Sequence, residues 1–136
     1  MAAQLTVLVV DDEPEVCWAL ESLLQGDRFK VVTAGSGSDA LRRLKDSGAT
    51  CHLILLDAKL PDIDGVDLTR RIRSETSCGA PMILVSGYFY EHDSVVQDTL
   101  RTGLVCAFVT KPFRHDEMLR TIETVLSLEH GKPLHT

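Results

Sequence analysis

Residues 53–65 read LILLDAKLPDIDG, and the organisation of the chain follows from this stretch. Four apolar residues lead directly into Asp57, and an apolar run of this length is typical of a strand buried on both faces of a sheet. The proline, glycine and aspartates of residues 60–65 have turn and helix-capping chemistry, so the strand ends at the carboxylate. Because chemistry in an open α/β sheet collects at the carboxyl ends of the strands, Asp57 is a candidate functional residue.

Four other segments have the composition of strands, and apolar residues at helical spacing follow each of the five. The strands are predicted at Leu5 to Val10, Phe29 to Ala34, residues 53–57, Met82 to Ser86 and Leu104 to Val109. We expect the second strand near an edge, Ser38 as N-cap of the second helix and Asp64 as cap of the third. This alternation predicts an α/β fold with a parallel sheet, helices on both faces and right-handed crossovers.

The 136 residues favour one domain, which we place at residues 1–128, with 129–136 as a tail or the start of a linker. A net charge of −6 argues against direct nucleic-acid binding. No apolar run is long enough for a membrane span, and the N-terminus lacks a secretory signal, so a cytoplasmic location is expected. The four cysteines have no metal-site or redox-motif spacing, and reduced thiols are expected.

Reactive side chains follow four of the predicted strands: Asp11 and Asp12, then Asp57, Ser86 and Lys111. Parallel strands bring these ends to one edge of the sheet, where three carboxylates repel one another unless a cation lies between them. Oxygen ligands favour Mg²⁺, with Mn²⁺ as an alternative. A lysine and a hydroxyl beside such an ion suit a phosphoryl group.

Each of these features has a structural alternative. Asp11 and Asp12 could cap the first helix, and Glu13 and Glu15 would favour its N-terminus electrostatically. Asp62, like Asp64, is interpreted as a turn or cap residue rather than a metal ligand.

Four motifs occur in order at the strand ends: VDDE at 10–13, Asp57 with a proline and a glycine after it, SG at 86–87 and KPF at 111–113. Together they resemble the receiver domain of two-component response regulators, over roughly Leu5 to Leu128. The resemblance implies a (βα)5 flavodoxin-like sandwich with strand order 2-1-3-4-5. It also implies a signalling module that catalyses only its own phosphotransfer and autodephosphorylation.

The resemblance assigns a role to each site residue. Asp57 would accept a phosphoryl group from a phosphohistidine on a sensor histidine kinase or a histidine phosphotransfer protein. Mg²⁺ would be held by Asp11, Asp12, Asp57 and the backbone carbonyl of Lys59.

The same resemblance assigns the response to phosphorylation. Lys111 would pair with the phosphoryl oxygens, Ser86 would donate a hydrogen bond to them, and Phe108 would act as an aromatic switch. The Lys111–Pro112 peptide would be cis. The fourth helix, fifth strand and last helix would form the partner surface and a homodimer contact.

Three positions depart from the commonest family pattern. Gly87 stands where alanine is usual and opens the pocket entrance. Lys59 and Tyr88 flank the path of the water that attacks the phosphoryl group, and we hypothesise that they prolong the phosphorylated state. Lys59 could instead attract phosphate or pair with an acidic neighbour.

Three alternatives stay open. The chain could be an excised N-terminal receiver of a larger regulator, for example a transcription regulator. A phosphohydrolase with an aspartyl nucleophile is a second alternative, but such enzymes need a second aspartate where this chain has Lys59. The third is a receiver that serves only for docking, and the intact site residues argue against it.

Overall fold

The computed structural model describes residues 4–47, 50–87 and 94–129. The site candidate Tyr88 lies outside the described residues, as does the expected tail at 129–136 apart from Glu129, which ends the last helix. The elements in chain order are β1 (Leu5–Val10), α1 (Pro14–Leu23), β2 (Phe29–Ala34), α2 (Gly37–Ser47), β3 (Leu53–Asp57), α3 (Gly65–Glu75), β4 (Met82–Ser86), α4 (Ser94–Arg101), β5 (Ala107–Thr110) and α5 (His115–Glu129).

All neighbouring strands pair in parallel, and the sheet has the order β2-β1-β3-β4-β5. The predicted α/β fold and strand order are confirmed, as is the edge position of β2. Every residue of β3 and β4 is buried, which explains why their sequences are apolar without alternation.

Alternate residues of the central strands face two separate apolar clusters. One cluster joins Leu8, Ile54, Leu56 and Leu84 to α2, α3 and α4. The other joins Val7, Val9, Leu53, Leu55, Ile83 and Val85 to α1 and α5. Two helical layers therefore hold the sheet rigid, which fixes where its carboxyl ends lie.

Two local predictions are wrong. The last strand begins at Ala107 rather than Leu104, because the amide of the buried Val105 donates to the carbonyl of Thr99 in α4 at 3.1 Å. Ser38 lies within α2 and is not its N-cap, since the Ser36 hydroxyl accepts a hydrogen bond from the Asp39 amide at 3.1 Å.

The four cysteines are thiols rather than disulfides, in agreement with the prediction. In the part of the chain that the structure describes, no helix has the length and apolar character needed to cross a bilayer.

Candidate functional site

The structure places the predicted site residues together at one edge of the sheet. Asp57 and Ser86 are the last residues of β3 and β4, while Asp11 and Lys111 directly follow β1 and β5. The strands end level with one another because Val10 lies opposite Leu56 and Ser86 lies opposite Thr110. Residues far apart in the chain therefore meet at the same depth.

Three carboxylates form a cluster at this edge. Asp11, Asp12 and Asp57 each offer an oxygen, and these oxygens all lie within 4.8 Å of one another. Asp11 and Asp57 are buried, whereas Asp12 is exposed. A compact set of oxygen donors with one side open to water fits a hard divalent cation that retains several waters.

The ammonium of Lys111 lies among the carboxylates. Its Nζ donates to Asp11 Oδ2 at 2.7 Å, to Glu13 Oε1 at 3.0 Å and to Asp57 Oδ2 at 3.2 Å. Burial disfavours the charged lysine, but the surrounding carboxylates outweigh burial and raise its pKa above the ordinary value. The lysine therefore stays protonated and supplies a fixed positive charge.

The pKa of Asp11 is set by a different balance between burial and hydrogen bonding. Burial raises its pKa, and this effect exceeds the opposing effects of Lys111 and of the Glu13 amide, which donates to Asp11 Oδ1 at 2.9 Å. Glu13, not Asp11 or Asp12, holds the N-cap position of α1. The capping alternative for the two aspartates is therefore wrong.

The backbone around Asp57 is closely packed. The Lys59 amide donates to Asp57 Oδ1 at 3.2 Å, and the exposed Lys59 side chain reaches the pocket beside it. The Gly65 amide donates to the Ala58 carbonyl at 2.8 Å. A Cβ on Gly65 would lie 2.3 Å from the Asp57 carbonyl oxygen, so this close approach requires glycine.

Asp62 and Asp64 are both helix caps. Asp64 accepts a hydrogen bond from the Val66 amide at 2.9 Å and caps α3, as predicted. The Asp62 carboxylate instead accepts the amides of Gly37 and Ser38, both at 2.9 Å, and so caps α2 from the loop after β3. These two hydrogen bonds lower the pKa of Asp62.

The remaining candidates lie on β4 and β5. Ser86 is fully buried, and its carbonyl accepts the Lys111 amide at 2.7 Å, while the Lys111–Pro112 peptide is cis. Phe108 is half-buried and packs against the α2–α3–α4 cluster. Gly87 is exposed, and within the described part of the chain a Cβ there would have no heavy atom within 4 Å beyond its chain neighbours.

A pocket of about 610 Å³ opens over the carboxylates. Its lining includes Asp12, Glu13, Glu15, Asp57, Lys59, Gly87 and Lys111, with apolar contributions from Val16, Ala19, Pro112 and Phe113. Glu13 is the site residue that sequence reasoning missed. The sequence feature that could have indicated Glu13 is its position directly after the two aspartates and before the proline that begins α1.

Comparisons with known proteins agree with this geometry. The model of the response regulator receiver domain matches residues 7–123. The sensory transduction protein RegX3 of Mycolicibacterium smegmatis is 34% identical over 121 residues, which cover 89% of this chain and 50% of that protein. The DNA-binding response regulator MtrA of the same species is 30% identical over 127 residues, which cover 93% of this chain and 53% of that protein.

The solved structure of a CheY-like response regulator receiver domain protein from Methanospirillum hungatei has the same fold. It superposes with a TM-score of 0.81 at 23% identity, covering 94% of this chain and 98% of that one. This chain spans about half the length of RegX3 and MtrA. With the family match extending over most of its residues, the chain belongs to the response regulator receiver domain family.

Proposed function

We propose that this domain accepts a phosphoryl group at Asp57, in a Mg²⁺-dependent reaction, from the phosphohistidine of a sensor kinase or phosphotransfer protein. The observation that carries the proposal is the position of Lys111, whose ammonium contacts both Asp57 and Asp11 inside a cluster of three carboxylates. A nucleophile, a fixed cation and a donor set for a divalent ion are the parts that phosphoryl transfer needs.

In the reaction a carboxylate oxygen of Asp57 attacks phosphorus. The P–N bond to the donor histidine breaks as the P–O bond forms, and the electron pair leaves with the imidazole, which takes up a proton. Lys111 lies within reach to balance charge on the transferred oxygens. Mg²⁺, held by Asp11, Asp12, Asp57 and the Lys59 carbonyl, would neutralise the incoming phosphate charge.

The acyl phosphate adds about two negative charges to a pocket that is already acidic. We propose that the Ser86 hydroxyl and Lys111 bind it, and that Phe108 turns inward in response. Support comes from the buried position of Ser86, the hydrogen bond that its carbonyl accepts from the Lys111 amide, and the half-buried position of Phe108 on the neighbouring strand.

The proposed output surface is formed by α4, β5 and α5. Leu128 on α5 is an exposed apolar residue of these elements and would be buried by a partner or a second copy. DNA binding, which the name of MtrA states for that protein, is not proposed for this acidic domain.

The test is incubation with Mg²⁺ and acetyl phosphate, followed by intact mass and light scattering. Wild type should gain the mass of one phosphoryl group and Asp57→Ala should not, while Asp67→Ala, an exposed aspartate of α3, should behave as wild type. Wild type without a mass gain, or Asp57→Ala with one, would refute the proposal. Turnover of a generic phosphate ester would favour the phosphohydrolase alternative instead.

A further inference from the structure

Among the described residues, the Glu13 side chain makes its polar contact with Lys111. Its carboxylate accepts from Lys111 Nζ at 3.0 Å, and its side chain is 54% exposed at the pocket mouth, against 13% for Lys111. Glu13 holds the N-cap position of α1, yet its side chain makes no capping hydrogen bond. The lysine thus has one partner at the mouth besides Asp11 and Asp57 in the interior.

The interior partners of Lys111 are oxygens that a divalent cation also requires. Asp11 and Asp57 belong to the carboxylate cluster, whereas Glu13 does not. A cation among the carboxylates weakens the hold of Asp11 and Asp57 on the lysine, because like charges then compete for the same oxygens. Glu13 is the contact that such competition leaves in place.

We propose that Glu13 is a positioning residue that holds the Lys111 ammonium at the pocket mouth. A phosphoryl group on Asp57 would then replace Glu13 as the partner of this ammonium. The inference rests on the proposed function and adds a residue to it. Glu13 then has opposite effects on the two ligands. It favours the cation by retaining the displaced lysine, and it opposes the anion, which must take the lysine from it.

The test compares Glu13→Gln with Glu15→Gln. Glu15 lines the same pocket, but across the described residues it forms no ion pair, so it controls for bulk charge. Mg²⁺ binding is measured by calorimetry, and binding of the phosphoryl mimic beryllofluoride, at saturating Mg²⁺, by ¹⁹F NMR. Glu13→Gln should weaken Mg²⁺ binding and strengthen beryllofluoride binding. We expect each dissociation constant to change by about two- to fivefold, the value of an ion pair with one half-exposed partner.

A second comparison places Glu13→Gln in a Lys111→Met background. Both shifts should disappear there, because Glu13 acts through the lysine. Shifts that persist without Lys111, that Glu15→Gln reproduces, or that are absent altogether would overturn the inference alone. A wild type that binds no beryllofluoride would overturn the proposed function and this inference with it.

Discussion

Lys111 Nζ lies 2.7 Å from Asp11 Oδ2, and the two residues are 100 positions apart in the chain. Neither side chain is well solvated, with 13% of Lys111 and 3% of Asp11 exposed. An ion pair of this kind differs from a surface pair, because removing one member leaves the other charged and buried. Asp57, at 3.2 Å from the same ammonium, shares this dependence.

Replacing Lys111 by methionine should therefore destabilise the domain at neutral pH by about 3 kcal/mol, the low end of the range for breaking a buried pair. The loss should shrink on acidification. Burial raises the folded-state pKa of Asp11 above 3.8, so the folded protein takes up this proton before the unfolded chain does. As pH falls through that folded pKa, Asp11 becomes neutral, so the absence of Lys111 no longer leaves an unpaired buried charge.

Urea unfolding of both proteins at a series of pH values, from neutral down through the folded-state pKa of Asp11, measures this change. Lys30→Met, at an exposed position on the edge strand β2, serves as the control and should match wild type. A stability difference that stays constant over the whole series would contradict the prediction.

Mg²⁺ should raise the melting temperature of the metal-free protein. A ligand present at a hundredfold its dissociation constant adds about 2.7 kcal/mol when it binds only the folded state. Asp12→Ala should lose most of this gain, because it removes one of the three clustered carboxylates and, being exposed, carries little packing. Thermal scans with Mg²⁺ and with a chelator test this, and equal gains in Asp12→Ala and Asp67→Ala would count against it.

Asp62→Ala should destabilise the domain by about 1 kcal/mol, the usual value of a lost helix cap. The hydrogen bonds from Gly37 and Ser38 lower the pKa of Asp62 below 3.8 in the folded state. The carboxylate's contribution is thus complete above pH 3.8 and lost as pH falls through the lower folded value. Denaturant titrations should show the two proteins converging at acid pH, and Asp62→Asn, which keeps one acceptor oxygen, should lie between them.

Gly65→Ala and Gly87→Ala form a matched pair. The added methyl group at position 65 would meet the Asp57 carbonyl at 2.3 Å and Ala58 Cα at 2.7 Å, both backbone atoms that cannot move freely. We expect a loss of about 3 kcal/mol there, at the upper end of overpacking effects. A Cβ added at Gly87 would have no heavy atom of the described residues within 4 Å apart from its chain neighbours, so stability should hardly change. Equal chemical denaturation midpoints for the two variants would contradict this prediction, because they would show that the backbone around Asp57 shifts to make room for the added methyl group.

Lys59→Ala should shorten the lifetime of the phosphorylated state. The exposed Lys59 side chain lines the pocket beside Asp57, where we propose that it obstructs the attacking water, and alanine would clear that path. Decay of the phosphorylated mass after donor removal gives the rate. Lys30→Ala should decay as wild type does, and a Lys59→Ala protein that decays more slowly would reverse the hypothesis.

The sequence patterns were sufficient for the alternation of strands and helices and for the four strand ends, because apolar runs that stop at a polar residue are local signals, whereas the strand order was implied by the family resemblance. The start of β5 was missed because Leu104 and Val105 have strand composition. The Val105 amide nevertheless donates its hydrogen bond to the Thr99 carbonyl of α4. The cap role of Asp62 was predicted, but the helix that it caps and the contact of Glu13 with Lys111 were missed for another reason. Their partners lie 25 and 98 residues away, and no periodicity reports a side-chain contact over such distances.

The separation between Asp11 and Lys111 also bears on the order in which the domain is assembled. The carboxylates belong to the first half of the chain, and the ammonium arrives only with the last strand. A chain synthesised through β4 holds the three aspartates of the cluster but not Lys111, and contacts this distant in sequence are slow to form. Docking of the fifth strand completes the sheet and brings the ammonium to these carboxylates, and we expect the pocket to take its final form only at that step.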